Sequence, residues 1–483
     1  MTTAGTSRKA VADDADPAIP EPTGPGAPPH GAATLERLAG TFRTGRTRGL
    51  AWRIEQLQGI ERMVTGHESE FLGAMAEDFG KPRFEAWMTD LMPVVAEAAH
   101  ARRHLSRWMR PRLVWPGRAN LPGRSWTVAE PKGTVLIIAP WNYPVQLALA
   151  PLVAAVAAGN TVVVKPSELA PATSATLARL IPQYLDPEAV VVVEGGVDVS
   201  TRLLDLPFDH LFFTGSTTVG KVVMAAAARH LSSVTLELGG KSPVVVTRDA
   251  DVEIAARRIA WGKLLNAGQT CIAPDYVLVE RPVADALVDA LVRSMDEMEG
   301  SDPRQTRTRI VNDRHVARLE SLLAGSGGRV ATGGGVDRDE RWIEPTVVVD
   351  PDPGSPLMDE EIFGPILPVV TVDSVEEATG FINGKDKPLA LYLFTGSKAT
   401  EQRIVGATSS GGVCINHTMT HFLVPELPFG GVGASGSGSY HGRAGFEELS
   451  HRKPVLRRGT RPDLSLVYPP FTDAKERLLR RFL

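Results

Sequence analysis

The chain has 483 residues, 43% of them hydrophobic and 22% charged, with a formal net charge of −4. Such a composition belongs to a soluble globular protein long enough for two or three domains, and it excludes a basic nucleic-acid binder. No apolar run approaches the ~20 residues that span a bilayer, and two cysteines cannot build a disulfide framework, so a cytoplasmic protein without a membrane anchor is expected.

Residues 1–34 contain six prolines, eight alanines and no aromatic residue, and they lack the order of a secretory signal. They predict a disordered tail, with the fold beginning near Leu35. From Thr34 to Arg110 apolar residues recur at helical spacing through Leu35–Phe42, Ile54–Met63, Phe71–Phe79 and Met88–Leu105. Prolines and glycines break residues 111–131, whose extended pieces around Val114 and Trp126 predict an exposed hairpin for contact with another subunit.

A regular alternation follows. Thr134–Ala139, Thr161–Lys165, Ala189–Glu194, His210–Phe213 and Ser233–Leu238 have strand length and strand composition. Between them Pro144–Ala158, Pro171–Tyr184, Val197–Leu204 and Thr217–His230 are helical. This order predicts parallel βαβ units in a doubly wound sheet, with ligands at the strands' carboxyl ends. Gly239-Gly240 breaks the pattern, and a second α/β block runs from Pro243 to about Val413. Gly333-Gly334-Gly335, with neither a strand before it nor a helix after it, is expected to be a loop. The arginines from Arg452 to Arg461 predict a solvated face, and the chain is expected to close with a short basic helix.

Chemistry concentrates in a few places. Asn266-Ala267-Gly268-Gln269-Thr270-Cys271 sets a cysteine beside a glycine that lets backbone come close, with amides near the sulfur for a developing oxyanion. Glu237 ends a strand between two leucines; a cleft there would raise its pKa toward that of a general base, the alternative being an acid paired with Lys241. Glu361 is a second such carboxylate. Asn142, after the first strand, is placed to give its amide to an oxyanion. Phe213 to Gly220 leads from a strand into a helix whose N-terminus suits a phosphate, although a plain βα turn has the same look. Lys165-Pro166-Ser167-Glu168 offers a ribose or phosphate contact, or a solvated turn.

Together these residues resemble the aldehyde dehydrogenase superfamily from about residue 35 onward. The resemblance rests on Pro140-Trp141-Asn142-Tyr143-Pro144, Lys165 to Glu168, Phe213 to Gly220, Glu237-Leu238-Gly239-Gly240-Lys241, Gly268 to Cys271, Glu361-Ile362-Phe363-Gly364-Pro365 and Pro428-Phe429-Gly430-Gly431. Residues 266–276, Ser439-Tyr440-His441-Gly442 and Tyr468 to Thr472 look like its class 3 branch, which oxidises aromatic, medium-chain and fatty aldehydes. The chain departs from that branch in its tail, and the hydrophobic C-terminal anchor of some members is not expected here.

The resemblance implies an α/β aldehyde dehydrogenase fold. Residues 35–110 and 132–238 would form a Rossmann-like NAD(P)-binding domain, 111–131 an oligomerisation hairpin, 239–415 the catalytic domain, and 416–483 a segment returning to the cofactor domain and the oligomer interface. It implies Cys271 as nucleophile, Asn142 as oxyanion donor and Glu237 as the base for the deacylating water. Trp141, Lys165, Glu168, Gly215, Ser216, Gly220, Leu238, Glu361 and Phe363 would meet the cofactor, and Tyr143, Thr270 and His441 the aldehyde. NAD is the implied cofactor, because Glu168 would oppose a 2′-phosphate, with NADP left open. The implied product is a carboxylic acid and the implied assembly a homodimer. An acylating or reductive thioester enzyme, and a non-catalytic binding protein of the same fold, are the alternatives. His417 and His421 lack a third ligand and predict no metal site, and Cys414 is expected to be an inert core thiol.

Overall fold

The computed structural model describes residues 30–300, 307–461, 463 and 465–480; most of the predicted tail, residues 1–29, lies outside them. Within the described part the fold begins earlier than Leu35, because α1 (His30–Arg43) already starts at His30. Next come α2 (Leu50–Gly66), α3 (Glu68–Phe79) and the short α4 (Arg83–Ala86), which passes through one π turn (Trp87–Leu91) into α5 (Met92–Trp108). Helical spacing predicted a plain helix here. Pro93 has no N–H to give the Thr89 carbonyl, and the turn widens around that missing bond.

Strands β1 (Arg112–Val114) and β2 (Arg124–Pro131) precede the alternating block. That block contains β3 (Thr134–Ile138), α6 (Gln146–Ala158), β4 (Thr161–Lys165), α7 (Pro171–Tyr184), β5 (Val190–Val192), α8 (Val197–Leu204), β6 (His210–Gly215), α9 (Thr217–His230) and β7 (Ser233–Leu238). The strands lie in the order β5-β4-β3-β6-β7 and are all parallel. Alternate side chains enter different cores. Val135, Ile137, Val162, Val164 and Phe212 pack with α6, whereas Leu136, Ile138, Val163, Leu211 and Phe213 pack with α1, α8 and α9. A strand apolar on both faces is what a doubly wound sheet requires. The chain reverses its winding between β3 and β6, and their carboxyl ends open a crevice there.

The next block begins with β8 (Pro243–Val246), α10 (Val252–Leu264), β9 (Tyr276–Glu280) and α11 (Ala284–Glu299). It continues through α12 (Asp313–Ala324), β10 (Arg329–Thr332), the small ladder of β11 (Val336–Asp337) with β12 (Trp342–Ile343), and β13 (Thr346–Val349). The short α13 (Pro356–Asp359), β14 (Ile366–Val372), α14 (Val375–Asn383), β15 (Ala390–Phe394), α15 (Lys398–Ala407) and β16 (Gly412–Ile415) complete it. Its sheet, β10-β13-β14-β9-β8-β15-β16, is parallel except for β10.

The C-terminal segment then returns to the first block. β17 (Gly436–Ser437) pairs antiparallel with β7, setting Gly436 opposite Glu237. Beyond α16 (Gly442–Glu448), β18 (Ser450–Arg457) joins β2, and α17 (Asp473–Leu479) follows. Among the described residues no helix is long and apolar enough to cross a membrane.

Three expectations need correction. The arginine-rich run contains strand β18, so the predicted two-stranded hairpin is the larger part of a three-stranded sheet, β1-β2-β18. β18 is solvated as expected, but its charged residues conceal the strand pattern. Gly333 directly follows β10 instead of standing apart from any strand, although no helix follows the triplet. Cys414 is half-buried, with its sulfur 3.6 Å from Thr420 Oγ1, and is not a core thiol.

Candidate active site

Cys271 is carried by a loop that is costly to build. After α10, Asn266 and Ala267 both hold left-handed backbone (φ 53°), and Gly268 follows at φ 74°. Left-handed non-glycine residues cost roughly 1–2 kcal/mol each and persist only when their surroundings fix them. Here the Asn266 amide donates to Glu85 Oε1 at 2.8 Å, while its side chain donates to the Asn142 carbonyl at 2.9 Å and the Gln269 carbonyl at 3.0 Å. Gly268 has no substitute, since a Cβ there would lie 2.2 Å from the Gly364 carbonyl oxygen.

The Cys271 thiol donates to Glu237 Oε1 across 3.4 Å. Burial first, then the carboxylates of Glu237 and Glu361, push this thiol well above its ordinary range. That environment favours the protonated thiol, and Glu237 is the acceptor within reach. Burial also raises Glu237, while bonds from Tyr440, at 2.9 Å, and Thr214, at 3.4 Å, to its Oε2 oppose that rise. One carboxylate oxygen is thus anchored and the other faces the sulfur.

Asn142 lies four residues past β3 and is buried. Its amide nitrogen gives one hydrogen to the Gln269 carbonyl at 3.0 Å, so a second hydrogen is available to a ligand oxygen. The Tyr143 hydroxyl meets Thr270 Oγ1 at 2.6 Å. His441 turns Nδ1 toward Glu97 at 3.5 Å, and its Nε2 is buried without a hydrogen-bond partner.

Two cavities converge on Cys271 and Glu237. One is mostly apolar, walled by Leu147, Leu265, Ile272, Met419, Phe422 and Phe429, and Tyr143, Thr270 and His441 also line it. The other opens at the carboxyl ends of β3 and β6, where the winding of the sheet reverses. Trp141, Asn142, Gly215, Ser216, His315, Arg318, Glu361 and Phe363 line that one. Ser216 caps α9 by accepting from the Val219 amide at 3.4 Å, which turns the helix's positive end toward the cavity. Glu361 is pushed up to about 8 by burial and then by Asp275, against opposition from the Gly240 amide, Lys241 and Arg318. Trp141 packs edge-on to Phe363 at 5.5 Å and to His315 at 5.6 Å.

The other sequence-predicted cofactor residues lie apart from these walls. Lys165 Nζ pairs with Glu168 Oε2 at 2.7 Å at the carboxyl end of β4. Gly220 lets α9 pack against Leu238, where a Cβ would come within 2.6 Å of the leucine side chain. Sequence reasoning missed Tyr440, although it quoted the run that contains it, and it also missed Thr89, Gln146, His315 and Arg318. The last two stand one turn apart on α12 with no motif around them. Among the described residues no cluster of histidine, cysteine and carboxylate side chains can hold a metal.

A dinucleotide fits this arrangement. The cavity lies at the winding reversal, a helix N-terminus faces it, and His315 Nδ1 is buried with no partner within the protein. An apolar tunnel and a crevice that fits a dinucleotide meet at one thiol and one carboxylate, the arrangement of a dinucleotide-dependent oxidoreductase. The chain belongs to the aldehyde dehydrogenase family, whose model matches residues 35–455. It is 45% identical over 453 residues to aldehyde dehydrogenase family 3 member A2 of Rattus norvegicus, covering 93% of each chain. To the dimeric NADP-preferring aldehyde dehydrogenase of the same species it is 46% identical over 425 residues, covering 88% of this chain and 93% of that one. Its structure is similar to that of Staphylococcus aureus AldH in a substrate-bound state, with a TM-score of 0.90 and 42% identity over 93% of this chain and 98% of that one. The protein is accordingly an NAD(P)-dependent enzyme that oxidises aldehydes to carboxylic acids.

Proposed function

We propose that Cys271 is the nucleophile of this oxidation, and the observation that carries the reading is its 3.4 Å contact with Glu237 where the two cavities meet. Glu237 takes the thiol proton as the sulfur attacks the aldehyde carbon, and the new C–O⁻ group of the thiohemiacetal receives the free hydrogen of the Asn142 amide together with the Cys271 backbone N–H. Bound NAD or NADP supplies the acceptor for the hydride that this carbon gives up. Glu237, once it has passed the thiol's proton to solvent, removes a proton from water, which attacks the resulting thioester and releases the acid and the Cys271 thiolate. Trp141, Gly215, Ser216, Glu361 and Phe363 hold the nicotinamide half of the cofactor and its phosphates. Lys165 and Glu168 meet the adenosine ribose, with Gly220 and Leu238 shaping the helix–strand seat beneath it.

The apolar tunnel supports an aromatic or a medium- to long-chain aliphatic aldehyde, with Tyr143, Thr270 and His441 along its wall. Glu168 favours NAD; a relative named NADP-preferring keeps the second cofactor in the reading. Exposed Leu113 and Leu456 on the β1-β2-β18 sheet, with Trp115 just beyond β1, support a homodimer, as does the word "dimeric" in the same relative's name. The composition, with only two cysteines, supports a cytoplasmic location.

The test is absorbance of reduced cofactor with NAD or NADP and a panel of aliphatic and aromatic aldehydes, wild type beside Cys271→Ala. Reduction by the wild type alone is the expected result. Equal activity in both would remove Cys271 from the mechanism, and silence from both would favour a thioester enzyme working in another direction.

A further inference from the structure

We infer that the buried Lys81–Asp90 ion pair is the positioning element of the oxyanion pocket, an assignment that rests on the roles given above to Asn142 and Cys271. Lys81 Nζ and Asp90 Oδ2 are 2.7 Å apart, and neither side chain reaches solvent. A buried ion pair is weak as a source of stability, because desolvating two charges offsets most of their attraction. Its worth lies in where it holds other groups.

Both partners grip the same short segment. Asp90 Oδ1 accepts the amides of Val145 and Gln146, each at 3.2 Å, at the first turn of the 13-residue α6. Lys81 Nζ lies 3.5 Å from the Asn142 carbonyl oxygen and 4.1 Å from the centre of the Tyr143 ring. Residues 142–146 are thereby clamped at their start by the cation and at their end by the anion. Asn142 and Tyr143 project from this segment onto the cysteine loop, reaching the Gln269 carbonyl at 3.0 Å and Thr270 Oγ1 at 2.6 Å. The Asn142 carbonyl, besides meeting Lys81, accepts from Asn266 in the strained turn before Cys271.

The π turn makes the clamp possible. A widened turn fits an extra residue without rotating the helix beyond it, so neighbouring positions 89 and 90 can both serve the site. Thr89 lines the aldehyde tunnel while Asp90 reaches Lys81 and α6. A donor aimed at a developing oxyanion helps only while it is held in place, and a displacement of about 1 Å can cost on the order of 100-fold in rate. Neither Lys81 nor Asp90 lines either cavity, so the pair acts through Asn142 and Tyr143.

Asp90→Asn tests the assignment, since it keeps an oxygen for the two amides and removes the charge that Lys81 pairs with. The expected result is a kcat lowered about tenfold or more, with KM for cofactor and aldehyde within about threefold of wild type. The deuterium isotope effect on kcat with 1-deuterated benzaldehyde should rise, because C–H cleavage from a poorly held adduct becomes the slow step. Lys81→Met, read in the same way, decides the question if Asp90→Asn does not fold. Asn142→Ala is measured alongside. If it slows turnover while Asp90→Asn and Lys81→Met stay within threefold of wild type with an unchanged isotope effect, the pair does not position the pocket. A kcat loss without any change in isotope effect, accompanied by a lower unfolding temperature and weaker cofactor binding, would reduce the pair to a structural element. If Asn142→Ala itself is neutral, the oxyanion role of Asn142 fails instead.

Discussion

Tyr440 donates its hydroxyl to Glu237 Oε2 at 2.9 Å, and the opposite oxygen of the same carboxylate faces the Cys271 thiol at 3.4 Å. The tyrosine thus fixes which edge of the carboxylate meets the sulfur, and it also restrains the rise in pKa that burial imposes on Glu237. Tyr440→Phe removes that restraint. A base must be ionised to act, so a higher pKa moves the rising, low-pH limb of kcat to higher pH. We expect a displacement of about one pH unit and a several-fold lower kcat near neutrality. A pH–rate profile with an unmoved limb would separate Tyr440 from the base.

Gly239 lies against Glu361 with no space between them, since a Cβ there would sit 2.1 Å from Glu361 Oε2. Gly239→Ala should push the carboxylate out of the cofactor cavity. The expected outcome is KM for NAD raised about tenfold, the loss of roughly one hydrogen bond. The rate of Cys271 alkylation by iodoacetamide without cofactor should stay near wild type. Cofactor titration and thiol labelling together check both halves.

Lys165 is committed to Glu168 at 2.7 Å. Glu168→Gln would free the ammonium and remove the carboxylate that would oppose a 2′-phosphate. The ratio of kcat/KM for NADP to that for NAD should rise about tenfold, equivalent to roughly 1.4 kcal/mol. An unchanged ratio would place cofactor choice elsewhere.

Glu361 carries a stability signature as well. Its folded pKa of about 8 lies above the ordinary carboxyl value, so the folded state holds its proton more tightly than the unfolded state does. Its contribution is complete below the ordinary carboxyl range and is lost as pH rises toward 8. Thermal unfolding of the cofactor-free protein should therefore show a melting temperature that falls between pH 5 and pH 8. In Glu361→Gln that fall should be smaller, and an identical pH dependence in the two proteins would contradict the assignment.

Much of the fold was legible because its signals are local. Pro171–Tyr184, Val197–Leu204 and Thr217–His230 begin and end where their helical patterns do, and β4 and β7 coincide with their β-branched runs. Cys271, Glu237 and Asn142, which the structure brings together at one cavity, stood out as candidates because each sits among particular neighbours in the chain. What the sequence hid is set by tertiary contact. The π turn depends on one missing amide in Pro93, and β18 is a strand only because β2 supplies a partner. Tyr440 reaches Glu237 from 203 positions away, and Lys81 and Asp90 are an ordinary charged pair until the fold buries them. No local window contains the pairing of Tyr440 with Glu237 or of β18 with β2, and the nine-position separation of Lys81 and Asp90 says nothing of their burial.

The pairing of β17 with β7 has a consequence in time. Leu238 gives its amide to the Ser435 carbonyl at 3.0 Å, so the strand bearing Glu237 is completed by a piece of chain made almost 200 residues later. Chains are synthesised from the N-terminus and their domains fold as they emerge. On a ribosome that has passed Cys271 but not Tyr440, the thiol exists without the tyrosine that orients its base or the wall that His441 gives the tunnel. Such a nascent chain is expected to be inactive, and a message truncated before that point should yield a product without turnover. Turnover in this protein would thereby certify that translation has passed His441.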